Sequence, residues 1–112
     1  MPTKKAMRAT PANVSRLLTA ANHQKQRPYP SAIRGWKNWT SGFGCDARAD
    51  EKTGVSFVEV RYLVDGYYDP APEHAKRARL ERYLPALQEH FQCAVSDAGG
   101  CLVLTVRERQ AT

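Results

Sequence analysis

The first 45 residues contain neither aspartate nor glutamate. Eight basic residues lie in that stretch, so it carries 8 − 0 = +8, while the remainder, with nine basic and eleven acidic residues, carries 9 − 11 = −2. Such a field attracts phosphate backbones, anionic membrane surfaces or acidic proteins. A solvated arm that aids solubility is the alternative reading of the same charges. Cysteine is scarce and odd in number, with Cys45, Cys93 and Cys101 beside apolar runs, which excludes an even disulfide framework. No apolar run approaches the roughly 18 residues of a membrane span, and the N-terminus lacks the apolar core of a signal peptide. A cytoplasmic protein without a membrane partner is the expectation. In that setting the sequons at Asn13 and Asn38 have no meaning.

Catalytic patterns are missing as well. No compact set of nucleophile and base, paired carboxylates or metal ligands can be read, and His23, His74 and His90 fall in a linker, a helix start and a helix end. A zinc site from His90, Cys93 and Cys101 would lack the close cysteine pair of a finger or ribbon; buried thiols acting as small hydrophobes are the competing reading. "SDAGGC" has glycines but neither the lysine nor the following helix of a phosphate-binding loop. The expectation is a non-enzymatic protein with no cofactor and no metal.

The residues present specify one domain of 112 residues. Residues 1–9 read as a flexible basic arm, 10–109 as a single α+β domain and 110–112 as a tail. Thr10 followed by Pro11 is a helix start, and Val14, Leu17, Leu18 and Ala21 make one apolar stripe to about Ala21. "NHQKQRPYPSA" reads as a surface connection because two prolines flank Tyr29. A glycine-interrupted strand follows to Ala47, and "RADEKTG" makes a turn. In "VSFVEVRYLV", Val58, Val60, Tyr62 and Val64 alternate with Phe57, Glu59, Arg61 and Leu63, so the valine face meets the core. A second helix is expected from near Pro72 to about Phe91, with Leu80, Leu84, Leu87 and Phe91 as its stripe, Tyr83 at the edge, and a kink or break at Pro85. The chain closes with a hairpin of strands near 92–96 and 101–107. Two αββ units thus give a four-stranded, mostly antiparallel sheet with both helices on one face and the other face wet.

Basic residues interleave with aromatics at one place. Lys25, Arg27, Arg34 and Lys37 surround Tyr29, Trp36 and Trp39, a composition that suits single strands of nucleic acid because cations follow the backbone while any base can stack on a ring. The same tryptophans could plug the core beside Phe43 or form a protein-binding hot spot. A second group, including Arg79 and Arg82 on the second helix, would extend a positive stripe if it lay near the N-terminal third.

At "VSRLLTAANHQK" followed by "IRGWKNWTSGF" the chain resembles small uncharacterised proteins of high-GC Gram-positive bacteria and their phages or integrative elements. The resemblance implies a mobile-element setting and supplies no catalytic residues. The expected partner is DNA or RNA, with an acidic host protein modulated through the same surface as the alternative, and a homodimer left open.

Overall fold

The computed structural model describes residues 7–30, 37–39, 41–63, 73–98 and 101–109. Helix α1 spans Pro11–Ala20 and begins as its residues dictate. Thr10 is extended (φ −121°, ψ 152°), its hydroxyl accepts the Asn13 amide at 3.1 Å, and Pro11 occupies the first turn, where a missing N–H forfeits no bond. Val14 and Leu18 are fully buried and Leu17 half-buried. Ala21, expected to complete that stripe, is exposed because it caps the helix instead. Packing starts ahead of Thr10, since Ala9 is buried and Met7 lies against the core. Thr10→Ala removes one capping bond and is expected to lower stability by about 1 kcal/mol in urea denaturation.

The α1 terminus redirects the chain. Asn22 sits in the left-handed region at φ 69°, its amide donates to the Thr19 carbonyl at 3.0 Å, and the His23 amide donates to the Leu18 carbonyl at 3.0 Å. Those two bonds satisfy helix-end carbonyls and throw residues 23–27 across the helix end. Strand β1, Pro28–Pro30, then pairs antiparallel with β2, Lys37–Trp39, placing Tyr29 opposite Asn38. The expected unpaired connection is therefore corrected to a short ribbon. Prolines two apart aim their absent donors at the same edge, so pairing through the opposite edge survives.

Strands β3, Gly42–Ala49, and β4, Ser56–Leu63, pair antiparallel through a turn in which the Asp50 carboxylate accepts the Lys52 and Thr53 amides at 2.8 and 3.1 Å. Helix α2, Glu73–Leu87, leads to β5, Phe91–Ala98, and β6, Cys101–Glu108. The sheet order is β3-β4-β6-β5 with every neighbouring pair antiparallel. The two αββ units join where Val58 and Val60 oppose Val106 and Leu104. Both helices cover one face, α1 against α2 and β3, α2 against β4, β5 and β6. Val58, Val60, Leu104 and Val106 from the sheet and Leu80 and Leu87 from α2 are fully buried between the layers.

Helix α2 departs from expectation at its end. It continues through Pro85 to Leu87 and stops there, and Phe91 opens β5 as a buried strand residue. Pro85 lies a turn after Glu81, and Glu81 is exposed, so the carbonyl deprived of a partner is on the watered side of the helix. Tyr83, expected at the edge, is only 5% exposed and packs edge-on to Phe43, ring centroids 6.0 Å apart.

The face opposite the helices is not uniformly wet. Val103 is fully buried there and Glu59 is 8% exposed. Arg48 Nε lies 2.7 Å from Glu59 Oε1, Arg61 Nη2 3.6 Å from the same oxygen, and the Arg107 guanidinium is 4.3 Å from the centre of the Phe57 ring. Three arginines thus gather on this face, and the Arg61 Nε is itself buried without a hydrogen-bond partner among the described residues.

Candidate nucleic-acid interface

Four of the cations read from the sequence, Lys25, Arg27, Arg79 and Arg82, lie near the end of α1. Beyond the α1 cap, the Gln24 carbonyl accepts the Phe43 amide at 2.9 Å and the Gln26 amide donates to the Phe43 carbonyl at 3.0 Å. This is a single parallel bridge that seats residues 24–26 on the outer edge of β3. Close approach is allowed by Gly42, which is buried and whose lack of a side chain leaves room for the Gln24–Gln26 backbone. Lys25 and Arg27 are thereby held beside the sheet rather than adrift on a linker.

Helix α2 approaches the same place from the other side. A concavity of about 350 Å³ opens between α1's end and α2, lined by Arg79, Arg82 and Tyr83 from the helix and by Asn22, His23 and Gln24 from the chain that follows α1. Tyr62, Ser41 and Gly42 close it at the sheet. A second concavity of about 200 Å³ shares His23 and Gln24 and is bounded by Thr19, Lys25 and Arg27. The two are adjacent, and no aspartate or glutamate is among the described residues that line them. Four cationic side chains thus border two adjoining depressions, the arms of a forked cleft that meet at His23 and Gln24.

The rings inside are held in fixed relations. His23 meets Tyr83 edge-on with centroids 4.8 Å apart and planes at 85°, and the Arg79 guanidinium lies 5.2 Å from the centre of the Tyr62 ring. Burial, and then the Arg82 charge, hold the His23 imidazole below its ordinary pKa of 6.5. Tyr83 is pushed up to about 12, first by burial, and so keeps its phenol proton. Burial likewise pushes the Cys45 and Cys93 thiols up to about 11, which leaves both protonated near neutrality.

The lowered His23 value ties stability to pH. The unfolded chain takes up the proton near pH 6.5, at a higher pH than the folded one, so His23's contribution to stability is complete above 6.5 and declines as pH falls toward the folded value. An imidazole proton titration by NMR should place His23 below 6.5, and Arg82→Ala should raise it only partway back, burial being the larger cause.

Of the residues singled out from the sequence, Lys25, Arg27, Arg79 and Arg82 come together. Tyr29, Lys37 and Trp39 stand on the β1–β2 ribbon, where their backbone alone is described, and Arg34 and Trp36 lie outside the described residues. Sequence reasoning missed His23, Tyr62 and Tyr83 as wall residues. A signal existed in α2, where Arg79, Arg82 and Tyr83 follow helical neighbour spacing, but Tyr62 and His23 reach the cleft only through the fold.

Among the described residues no three His, Cys, Asp or Glu side chains gather as a metal ion would require, and no helix is long and apolar enough to cross a membrane. The zinc alternative needs Cys101, whose side chain is outside the described ones. No family model, no curated protein and no solved structure matches this chain. The chemistry of the cleft is therefore what bears on function.

Proposed function

We propose that this chain is a non-enzymatic nucleic-acid-binding protein, in the phage or mobile-element setting that its resemblance implies, and that it holds phosphates around the forked cleft at the end of α1. One observation carries the reading: Lys25 and Arg27, from the acid-free third, line a depression that adjoins, at His23 and Gln24, the one lined by Arg79 and Arg82 from α2, and no carboxylate lines either among the described residues. Phosphate backbones offer repeated negative charge at a spacing that several separated cations can follow, whereas a single small anion would engage one or two of them. The polar walls of Asn22 and Gln24 and the half-buried Tyr62 add hydrogen-bonding and apolar contact beside the charges.

The test is a fluorescence titration with labelled nucleic acid over a range of salt. Four neutralised phosphates predict a log–log slope of about −3 between observed affinity and salt. A salt-independent affinity, or none for any nucleic acid, contradicts the reading. Capture of an acidic host protein that survives nuclease treatment would then take its place.

A further inference from the structure

We infer that the larger arm of the cleft receives an unpaired nucleotide, its base against Tyr62 and His23 and its phosphate between Arg79 and Arg82, so that the ligand is a single strand. This inference rests on the phosphate-binding reading above and deepens it. Two features of the larger arm go beyond what phosphate attraction requires, and a third holds the phosphate beside them. Its volume of about 350 Å³ falls at the lower end of small-molecule sites, about 300 to 1,000 Å³, whereas a surface that only follows a duplex backbone needs no such recess. Its walls carry rings that remain partly accessible, since Tyr62 and His23 are half-buried while Tyr83 forms the covered floor. Its rim carries the two arginines on one helix, three residues apart and both exposed.

A base belongs in such a recess for a physical reason. Every base has a π-face, and stacking on an aromatic wall is favourable whatever the base, while the attached phosphate stays at the charged rim. Arg79 now rests over the Tyr62 ring at 5.2 Å, a contact loose enough that an entering base can take the ring face and turn the guanidinium to the phosphate. Asn22 and Gln24, which line the same recess, offer amide groups for the base edge. The smaller arm, bounded by Lys25 and Arg27, continues beyond His23 and Gln24 and suits the next phosphate along the strand. Duplex DNA presents its bases stacked and paired, so filling the recess would require a base to be flipped out.

Binding is to be compared by fluorescence anisotropy, at two salt concentrations, for labelled thymidine and uridine strands of about twelve nucleotides, an abasic strand of equal length and the corresponding duplex. The expected result is that base-bearing strands bind about tenfold or more tightly than the abasic strand and the duplex, with similar salt slopes. Tyr62→Leu, which keeps apolar bulk, should erase the preference and preserve the slope, and His23 ring protons of the wild-type chain should shift upfield when the base-bearing strand is added. Equal, salt-dependent affinity for all ligands would overturn base insertion and leave phosphate binding standing. No salt-dependent binding by any of them would remove both. Thymidine and uridine strands binding alike, or either one binding better, supports the inference equally and identifies the kind of strand.

Discussion

Replacing Gly42 with alanine is expected to peel residues 24–26 off the sheet edge and to open the cleft on its Lys25 side. A Cβ at this position would stand 2.3 Å from the Gln24 carbonyl oxygen and 2.8 Å from both the Gln26 nitrogen and the Lys25 carbonyl carbon. All three atoms are backbone, so no rotamer change relieves the overlap. The bonds at risk are those between Phe43 and Gln24 and between Gln26 and Phe43, at 2.9 and 3.0 Å. Losing two backbone bonds at about 1 kcal/mol each, with some residual overpacking, puts the loss at about 2 to 4 kcal/mol in urea denaturation. Amide exchange should accelerate at Gln26 and Phe43 before it does at Val60 or Leu104, which lie in the fully buried centre of the sheet. Gly54 is the control. It has φ +72°, but a Cβ added there would meet no atom within 4 Å, so Gly54→Ala carries only left-handed backbone strain of about 1 to 2 kcal/mol and should leave ligand binding unchanged. A Gly42→Ala protein with unaltered stability and unaltered exchange at Gln26 would refute the close approach.

The contrast between these two glycines shows what local sequence can and cannot disclose. The α1 start was legible because Thr10, Pro11, Val14 and Leu18 act on one another within two turns. The β4 alternation was legible because burial of one face repeats every second residue, as at Val58 and Val60. From those elements and the C-terminal glycine turn, the doubled αββ order and the two-layer architecture followed. Interactions between distant positions were not legible. Phe91 fits the helical spacing of Leu80, Leu84 and Leu87, yet the helix ends at Leu87 and Phe91 is buried as the first residue of β5, paired with Glu108 at the far end of β6. Glu59 occupies a position that alternation assigns to solvent, yet Arg48 and Arg61 converge on it from a neighbouring strand and from its own strand. The β1–β2 ribbon escaped notice because its prolines are read as breakers when pairing partners are unknown. At the cleft, the cations were evident from charge alone, whereas their convergence depends on the α1 reversal at Asn22 and on the Gly42 bridge.

Removing Arg79 and Arg82 together is expected to weaken nucleic-acid binding about a hundredfold at low salt and to reduce the salt slope by about 1.5 to 2, one counterion's worth for each cation. Removing Lys25 and Arg27 together should have an effect of similar size, since they flank the adjoining arm. Folding should be nearly untouched by loss of the Arg79/Arg82 pair, because both side chains are exposed and surface changes usually stay within about 0.5 kcal/mol. Net charge alone would weaken binding too, and a control separates the two causes. Arg16 and Arg77 are on α1 and α2 but line neither concavity, and Arg16 donates to Asn13 Oδ1 at 2.9 Å on its own helix. Arg16→Ala with Arg77→Ala removes the same two charges from the chain, so it should leave the slope intact if phosphates occupy the cleft. Equal loss in the control and in the Arg79/Arg82 pair would mean that binding follows the overall charge and that the cleft has no privileged part in it. Lysine replacements sharpen the point: Arg79→Lys with Arg82→Lys keeps both charges and hence the slope, yet forfeits the planar fork that grips phosphate oxygens in pairs and the flat contact with Tyr62. Affinity should then fall by about tenfold with the slope unchanged, a combination that screening of a diffuse positive surface does not produce.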